Sequence, residues 1–255
     1  MGNTQKQKAQ SIGDHFESYE ALEQALRNTG MESCQLIIGV DFTKSNLSQG
    51  GLPYFLYNNL HHLSIQPNPY QQVLSIMCES LRPFDDDQLI DAYGFGDINT
   101  TNRSVFPFLT FETPCYGLEG VLDCYNKIAS RVQMSGPTSF APIIKQAIKL
   151  VSDRKSYHIL IIIADGGVTD MKETTQAIVE ASKYPLSIIC IGVGSGPWDK
   201  MIKMDDDIPK RKFDNFQFVD FYKIMHQCEN EPIEFARNAL MEIPEQYNYI
   251  KNHMV

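Results

Sequence analysis

The segment Asp41-Phe42-Thr43-Lys44-Ser45 sets a carboxylate and two hydroxyls at alternate positions, directly after the apolar run Leu36–Val40. Further oxygen donors stand at similar points of punctuation. Asp165 ends the apolar run His158–Ala164 and is followed by Gly166 and Gly167, which let the backbone turn sharply. Thr138 lies in the Gly/Pro-bounded stretch SGPTSFAP, just ahead of a helical pattern. Two carboxylates and three hydroxyls from three loops form a set of hard oxygen ligands, which suits Mg2+, with Mn2+ or Ca2+ as alternatives. If the hydroxyls touch such an ion directly and the acids act through water, its charge stays partly unquenched. It can then recruit one more oxygen, ideally a carboxylate from another molecule.

Catalytic readings of the same residues meet obstacles. A phosphatase of the D-x-D class needs a second carboxylate where Thr43 stands, to protonate the leaving group. GVGSGP follows an apolar run as a dinucleotide loop would, but Pro197 occupies the third glycine position and no helix start is evident after it. A G-x-S-x-G nucleophile elbow and a P-loop are both missing. A metal-dependent hydrolase or phosphatase using these oxygens is the alternative to a non-catalytic binding site.

Other polar residues have plainer assignments. Asp97 in GFGD fixes its own loop, and Asp170 in GVTD caps the helix that begins near Met171. Trp198 plugs a loop against the core. His61 and His62, adjacent on an expected helix, point in different directions and share no metal.

The elements that must position the oxygens follow from periodicity. Strands are expected at Gln35–Asp41, Leu89–Phe95, His158–Ala164, Leu186–Val193 and Phe216–Phe221. Helical patterns cover Tyr70–Leu81, Leu118–Val132, Ala141–Ser152, Glu173–Lys183 and Ile233–Met241, with an opening helix around Tyr19, Leu22 and Leu26 that Gly30 stops. LIIGV and HILIIIA are continuous apolar runs, as in strands covered on both faces. The fold expected is therefore α/β: a doubly wound, mainly parallel sheet with helices on both faces. Pro107 places the segment Val105–Phe111 as one short antiparallel edge strand. Asp41 and Asp165 should then end neighbouring strands at the ligand-binding edge.

A chain of 255 residues, 43% hydrophobic and 21% charged, fits one large domain over residues 18–255 behind a disordered tail over 1–17. The net charge of −9 argues against nucleic acid as a partner. The one basic run, Pro209–Lys212, lies beside Asp205–Asp207 and reads as a solvated mixed-charge loop. Six cysteines, Cys34, Cys78, Cys115, Cys124, Cys190 and Cys228, show no zinc spacing and read as reduced thiols of a cytoplasmic protein. No secretory signal or membrane span is expected. Gly2 offers half of a myristoylation signal, with Lys6 where Ser or Thr is favoured, so attachment to a membrane surface is expected only if Gly2 is lipidated.

DFTKS resembles the D-x-[ST]-x-S motif of von Willebrand factor A domains, and Thr138 and Asp165 fall where that family completes its metal-ion-dependent adhesion site. The resemblance implies a metal site of Asp41, Thr43, Ser45, Thr138 and Asp165. It also implies that Thr43 and Ser45 bind the ion directly, that Thr138 binds directly or through water, and that the acids act largely through water. VDFTKSN, PNPYQQ, YGFGD, GPTSFAPII, IIIADGGVTD, GVGSGPWD, FDNFQFVDF and LMEIP are similar to copines and to the plant RING-type ubiquitin ligases that carry a copine-like A domain, over about Ser18 to Tyr247. The sequence in hand holds neither paired lipid-binding domains nor a RING-type Cys/His array. Neither calcium-driven membrane binding nor ubiquitin transfer is expected from it. The function implied is that of an adaptor that captures an Asp or Glu side chain of a protein partner.

Overall fold

The computed structural model describes residues 16–49, 59–206, 208, 210–226 and 231–254. The expected tail up to residue 15, Gly2, Cys228, Pro209 and Asp207 lie outside them.

The chain opens with α1 (Tyr19–Asn28), which Ser18 caps by accepting from the Ala21 N–H at 3.2 Å. It then lays down β1 (Gln35–Asp41), a short turn of helix α2 (Asn46–Gln49), α3 (Pro69–Leu81) and β2 (Leu89–Phe95). Two-residue strands β3 (Phe106–Pro107) and β4 (Cys115–Tyr116) precede α4 (Gly117–Ala129) and α5 (Ala141–Arg154). The remainder is β5 (His158–Ala164), α6 (Met171–Ala181), β6 (Leu186–Gly192), α7 (Asp199–Asp206), β7 (Phe216–Asp220), α8 (Phe221–Met225), α9 (Glu231–Leu240) and α10 (Ile243–His253).

The sheet runs β3-β2-β1-β5-β6-β7, with β4 also paired to β2. The pairs β1–β2, β1–β5, β5–β6 and β6–β7 are parallel, while β3 and β4 run antiparallel to β2. Because β1 is followed outward by β2 on one side and by β5 on the other, strand order reverses between β1 and β5. Ligands of open α/β sheets collect at the carboxyl ends flanking such a reversal.

Alternation along β1 feeds two cores. Leu36, Ile38 and Val40 pack with α1, α3, α4, α9 and α10, whereas Ile37 faces α5, α6 and α7. Gly39 shares the second face, and a Cβ there would stand 2.6 Å from Ile143 Cγ1 of α5. The missing side chain lets α5 lie close on the strand that delivers Asp41.

Several expectations need correction. The edge strand spans two residues, not Val105–Phe111, because the chain turns at Thr110–Glu112 with Phe111 at φ 60°. β4 adds a second antiparallel pairing, Leu89 with Tyr116. A helix does follow GVGSGP: α7 starts at Asp199, and Trp198 packs over Gly192, where a Cβ would meet its ring at 2.6 Å. α10 begins at Ile243 with Pro244 in its first turn, where a missing N–H is harmless. His61 and His62 occupy a turn, not a helix.

Candidate functional site

β1 delivers Asp41, fully buried, and its exit loop carries Thr43 and Ser45. Asp41 Oδ1 accepts from the Thr43 N–H at 2.8 Å, which tightens the turn so that the hydroxyls of Thr43 and Ser45 lie 2.9 Å apart. Ser45 Oγ donates to Asp165 Oδ1 at 3.0 Å, directly after the end of β5. Thr138 Oγ1 reaches Thr43 Oγ1 at 3.3 Å. All five residues singled out in the sequence therefore meet in one cluster.

Backbone bonds hold the three loops together. The Lys44 N–H donates to the Ser135 carbonyl at 2.6 Å, the Ser135 N–H to the Gly96 carbonyl at 3.0 Å, and the Thr169 N–H to the Thr138 carbonyl at 3.0 Å. Gly96 has φ +82° and stands where a Cβ would meet Thr43 Cγ2 at 2.4 Å. Only glycine allows both that backbone and that approach.

The electrostatics are those of two buried carboxylates set against each other. Asp41 Oδ2 and Asp165 Oδ2 are both buried without a hydrogen-bond partner. Burial pushes the Asp41 carboxyl well above its ordinary range, and the charge of Asp165 adds to the shift. Asp165 is pushed up to about 6, burial outweighing the hydrogen bond from Ser45. Two like carboxylates this close hold a proton between them unless a cation takes its place. The three hydroxyls and the two orphaned acid oxygens are hard donors of the kind a divalent cation takes, although no group of three or more His, Cys, Asp or Glu side chains that could hold a metal stands among the described residues.

Neighbouring residues take the plainer roles expected of them. Asp97 accepts from the Thr100 N–H at 2.9 Å, from the Thr100 hydroxyl and from Asn99 Nδ2 at 3.1 Å, so it fixes its loop. Asp170 caps α6 by accepting from the Glu173 N–H at 3.0 Å. Trp198 lies against Phe218, ring centres 5.2 Å apart. The sequence reading missed what stands behind the cluster. Asn46 Nδ2 donates to the Thr43 carbonyl at 3.0 Å, and His61 Nε2 lies 2.9 Å from the Asp41 carbonyl. The burial of both residues depends on α3 and α4, whose Tyr70 and Tyr125 contact them.

With this geometry in view, comparisons with known proteins place the chain. A family profile described as Copine matches residues 59–255. The chain belongs to the copine family. Copine family protein 2 of Caenorhabditis elegans is 48% identical over 241 residues, covering 93% of this chain and 3% of that protein. The E3 ubiquitin-protein ligase RGLG5 of Arabidopsis thaliana is 46% identical over 258 residues, covering 95% of this chain and 59% of the ligase. This copine-family chain thus spans less than two thirds of either relative. Among solved structures, the SpRpn10 VWA domain superposes with a TM-score of 0.50 at 12% identity, over 74% of this chain and 87% of that one. Manganese-loaded TRAP protein of Plasmodium vivax gives 0.52 at 13% identity, over 75% of this chain and 70% of that one. At such identities the likeness shows the fold, a von Willebrand factor A architecture.

Proposed function

We propose that residues 18–255 act as a non-catalytic adaptor that binds a protein partner through a divalent cation, Mg2+ in the first instance, held by Asp41, Thr43, Ser45, Thr138 and Asp165. The observation that carries this reading is the pair of buried, unpartnered oxygens, Asp41 Oδ2 and Asp165 Oδ2, on acids tied to a cluster of three hydroxyls. Bound there, the ion would supply an open position for a carboxylate of another molecule. Thr43, Ser45 and Thr138 would offer neutral oxygens, and the two acids would balance the charge from behind. Exposed Leu47, on α2, and Ile98, on the exit loop of β2, offer apolar contact in the segments that follow the two strands. Such a rim suits a protein partner that presents Asp or Glu.

A net charge of −9 speaks against nucleic acid. The five described cysteines are free and buried, in keeping with a reducing cytoplasm. Among the described residues no helix is long and apolar enough to cross a membrane. Attachment to a membrane surface enters this proposal only through a lipid at Gly2. The hydrolase alternative lacks an acid at the place of Thr43.

Pull-down from cell extract with and without chelator tests the reading. Partners retained in Mg2+ and lost in chelator support it when Thr138→Ala loses the same partners. Steady phosphate or ester turnover by the pure protein would favour the hydrolase instead.

A further inference from the structure

The loop that carries Thr43 and Ser45 is held from behind by a buried polar chain that the oxygen cluster does not require. The His61 ring is 1% exposed and stacks on Phe42 at 4.6 Å and on Tyr70 at 4.0 Å, measured between ring centres. Its Nε2 lies 2.9 Å from the Asp41 carbonyl and its Nδ1 2.8 Å from the Tyr125 hydroxyl. A carbonyl oxygen only accepts, so in the neutral ring Nε2 carries the proton and Nδ1 accepts from Tyr125. The Tyr125 oxygen is then left to accept from Asn68 Nδ2 at 3.1 Å, while Asn68 Oδ1 caps α3 by accepting from the Gln71 N–H at 2.9 Å. Asn68 Oδ1 also lies 3.2 Å from the Tyr125 hydroxyl, but the Asp41 carbonyl by itself fixes the proton of the neutral ring on Nε2. A parallel hold acts two residues on, where Asn46 donates to the Thr43 carbonyl and accepts from the Tyr70 hydroxyl at 2.8 Å.

We infer that His61 is a positioning residue for the cation site. Its Nε2–H holds the Asp41 carbonyl while Asn46 holds that of Thr43, and together they fix the peptide planes from which the Asp41, Thr43 and Ser45 oxygens are presented. This rests on the cation-site reading above. The contribution of His61 is not duplicated well by its neighbour, because Asn46 Nδ2 stands 3.4 Å from the Asp41 carbonyl. Without His61 that buried carbonyl turns to find another donor, and the side chains on either side of it turn as well.

Mn2+ titration of the full chain, paired with long-range 15N NMR of the His61 ring, tests the inference. Wild type should show the Nε2–H tautomer and bind one Mn2+. His61→Phe keeps the stacked ring but lacks the donor, and should bind roughly ten-fold more weakly or worse. His61→Gln, whose amide can donate to the same carbonyl, should recover most of that loss. Ile250→Val, in α10 beside the opposite end of β1 at Gln35, should lower the melting temperature without moving Mn2+ affinity. An Nδ1–H tautomer, unimpaired binding in His61→Phe, or equal losses in the Phe and Gln variants would each overturn the positioning role alone. Wild type that binds no Mn2+ would overturn the cation reading, and this inference with it. If His61→Phe does not fold, the tautomer and the Gln variant still decide.

Discussion

Ser45 donates to Asp165 over 3.0 Å across 120 residues of sequence, joining the loop after β1 to the end of β5. These strands are neighbours, so the two buried acids stand on either side of the point where strand order reverses. The topology brings the carboxylates together, and the Thr43, Ser45 and Thr138 hydroxyls link around them.

The acid pair should make metal-free stability fall as pH rises. The folded-state pKa of Asp165 is raised from 3.8 to about 6, so across that window the folded protein keeps a proton that the unfolded chain has released. Stability is fully present below the window and is lost through it. Asp41, also raised, extends the loss in the same direction. Asp85 and Glu242, each pushed up to about 7 chiefly by burial, add the same sign. The diagnostic is therefore a difference: thermal melts in chelator and in saturating Mg2+ should diverge as pH rises, and parallel curves would count against the pair as the cation's ligands.

Asp41→Asn should separate stability from function. The amide keeps an oxygen for the Thr43 N–H and is neutral without the proton that the acid pair must otherwise take up on folding. Metal-free protein at neutral pH should gain on the order of 1 kcal/mol, while cation binding is lost. Chemical denaturation in chelator measures the first, and a loss of stability in this variant would contradict the account of the pair.

Gly96→Ala should damage the cluster without touching a donor. The new methyl would stand 2.4 Å from Thr43 Cγ2 on a backbone at φ +82°. A cost of about 2 kcal/mol or more is expected from strain and displacement. Denaturant unfolding measures it, with Mn2+ affinity falling in parallel because Thr43 must move.

Much of this arrangement was legible in the sequence. β1, β2 and β5 have the expected bounds because their apolar runs stop abruptly at polar or glycine-rich loops. Asp41 and Asp165 could be named because each stands at such a stop, Thr43 and Ser45 because they alternate after Asp41, and Thr138 because a Gly/Pro-bounded loop sets it before a helix. Tertiary context supplied the rest. α10 was hidden by Pro244, which reads as a break yet sits in the first turn of a new helix. α7 was hidden behind Pro197 and Trp198, and β4 is too short to leave a pattern. The sequence pattern places His61 on a helix and without a role, since a histidine in a turn becomes buried only where Phe42, Tyr70 and Tyr125 close around it.

Partner binding should depend on one hydroxyl and one foreign acid. Thr138 lies in a partly exposed loop, so Thr138→Ala should leave the fold intact and weaken the partner at saturating Mg2+. Amide replacement of a single Asp or Glu on the partner should remove most of the affinity, because a neutral amide is a poorer ligand for a partly unquenched cation. Binding measured by surface plasmon resonance that survives both changes and chelation would assign recognition to another surface.

Calorimetric titration of metal-free protein with Mg2+, then with Mn2+, tests the cation site itself, on wild type and Asp41→Ala side by side. The account predicts one saturable site in wild type, with affinity that rises with pH as Asp165 and Asp41, both raised, give up their protons, and no site in the variant. Wild type that takes up neither ion, or a variant that binds as wild type does, would contradict it.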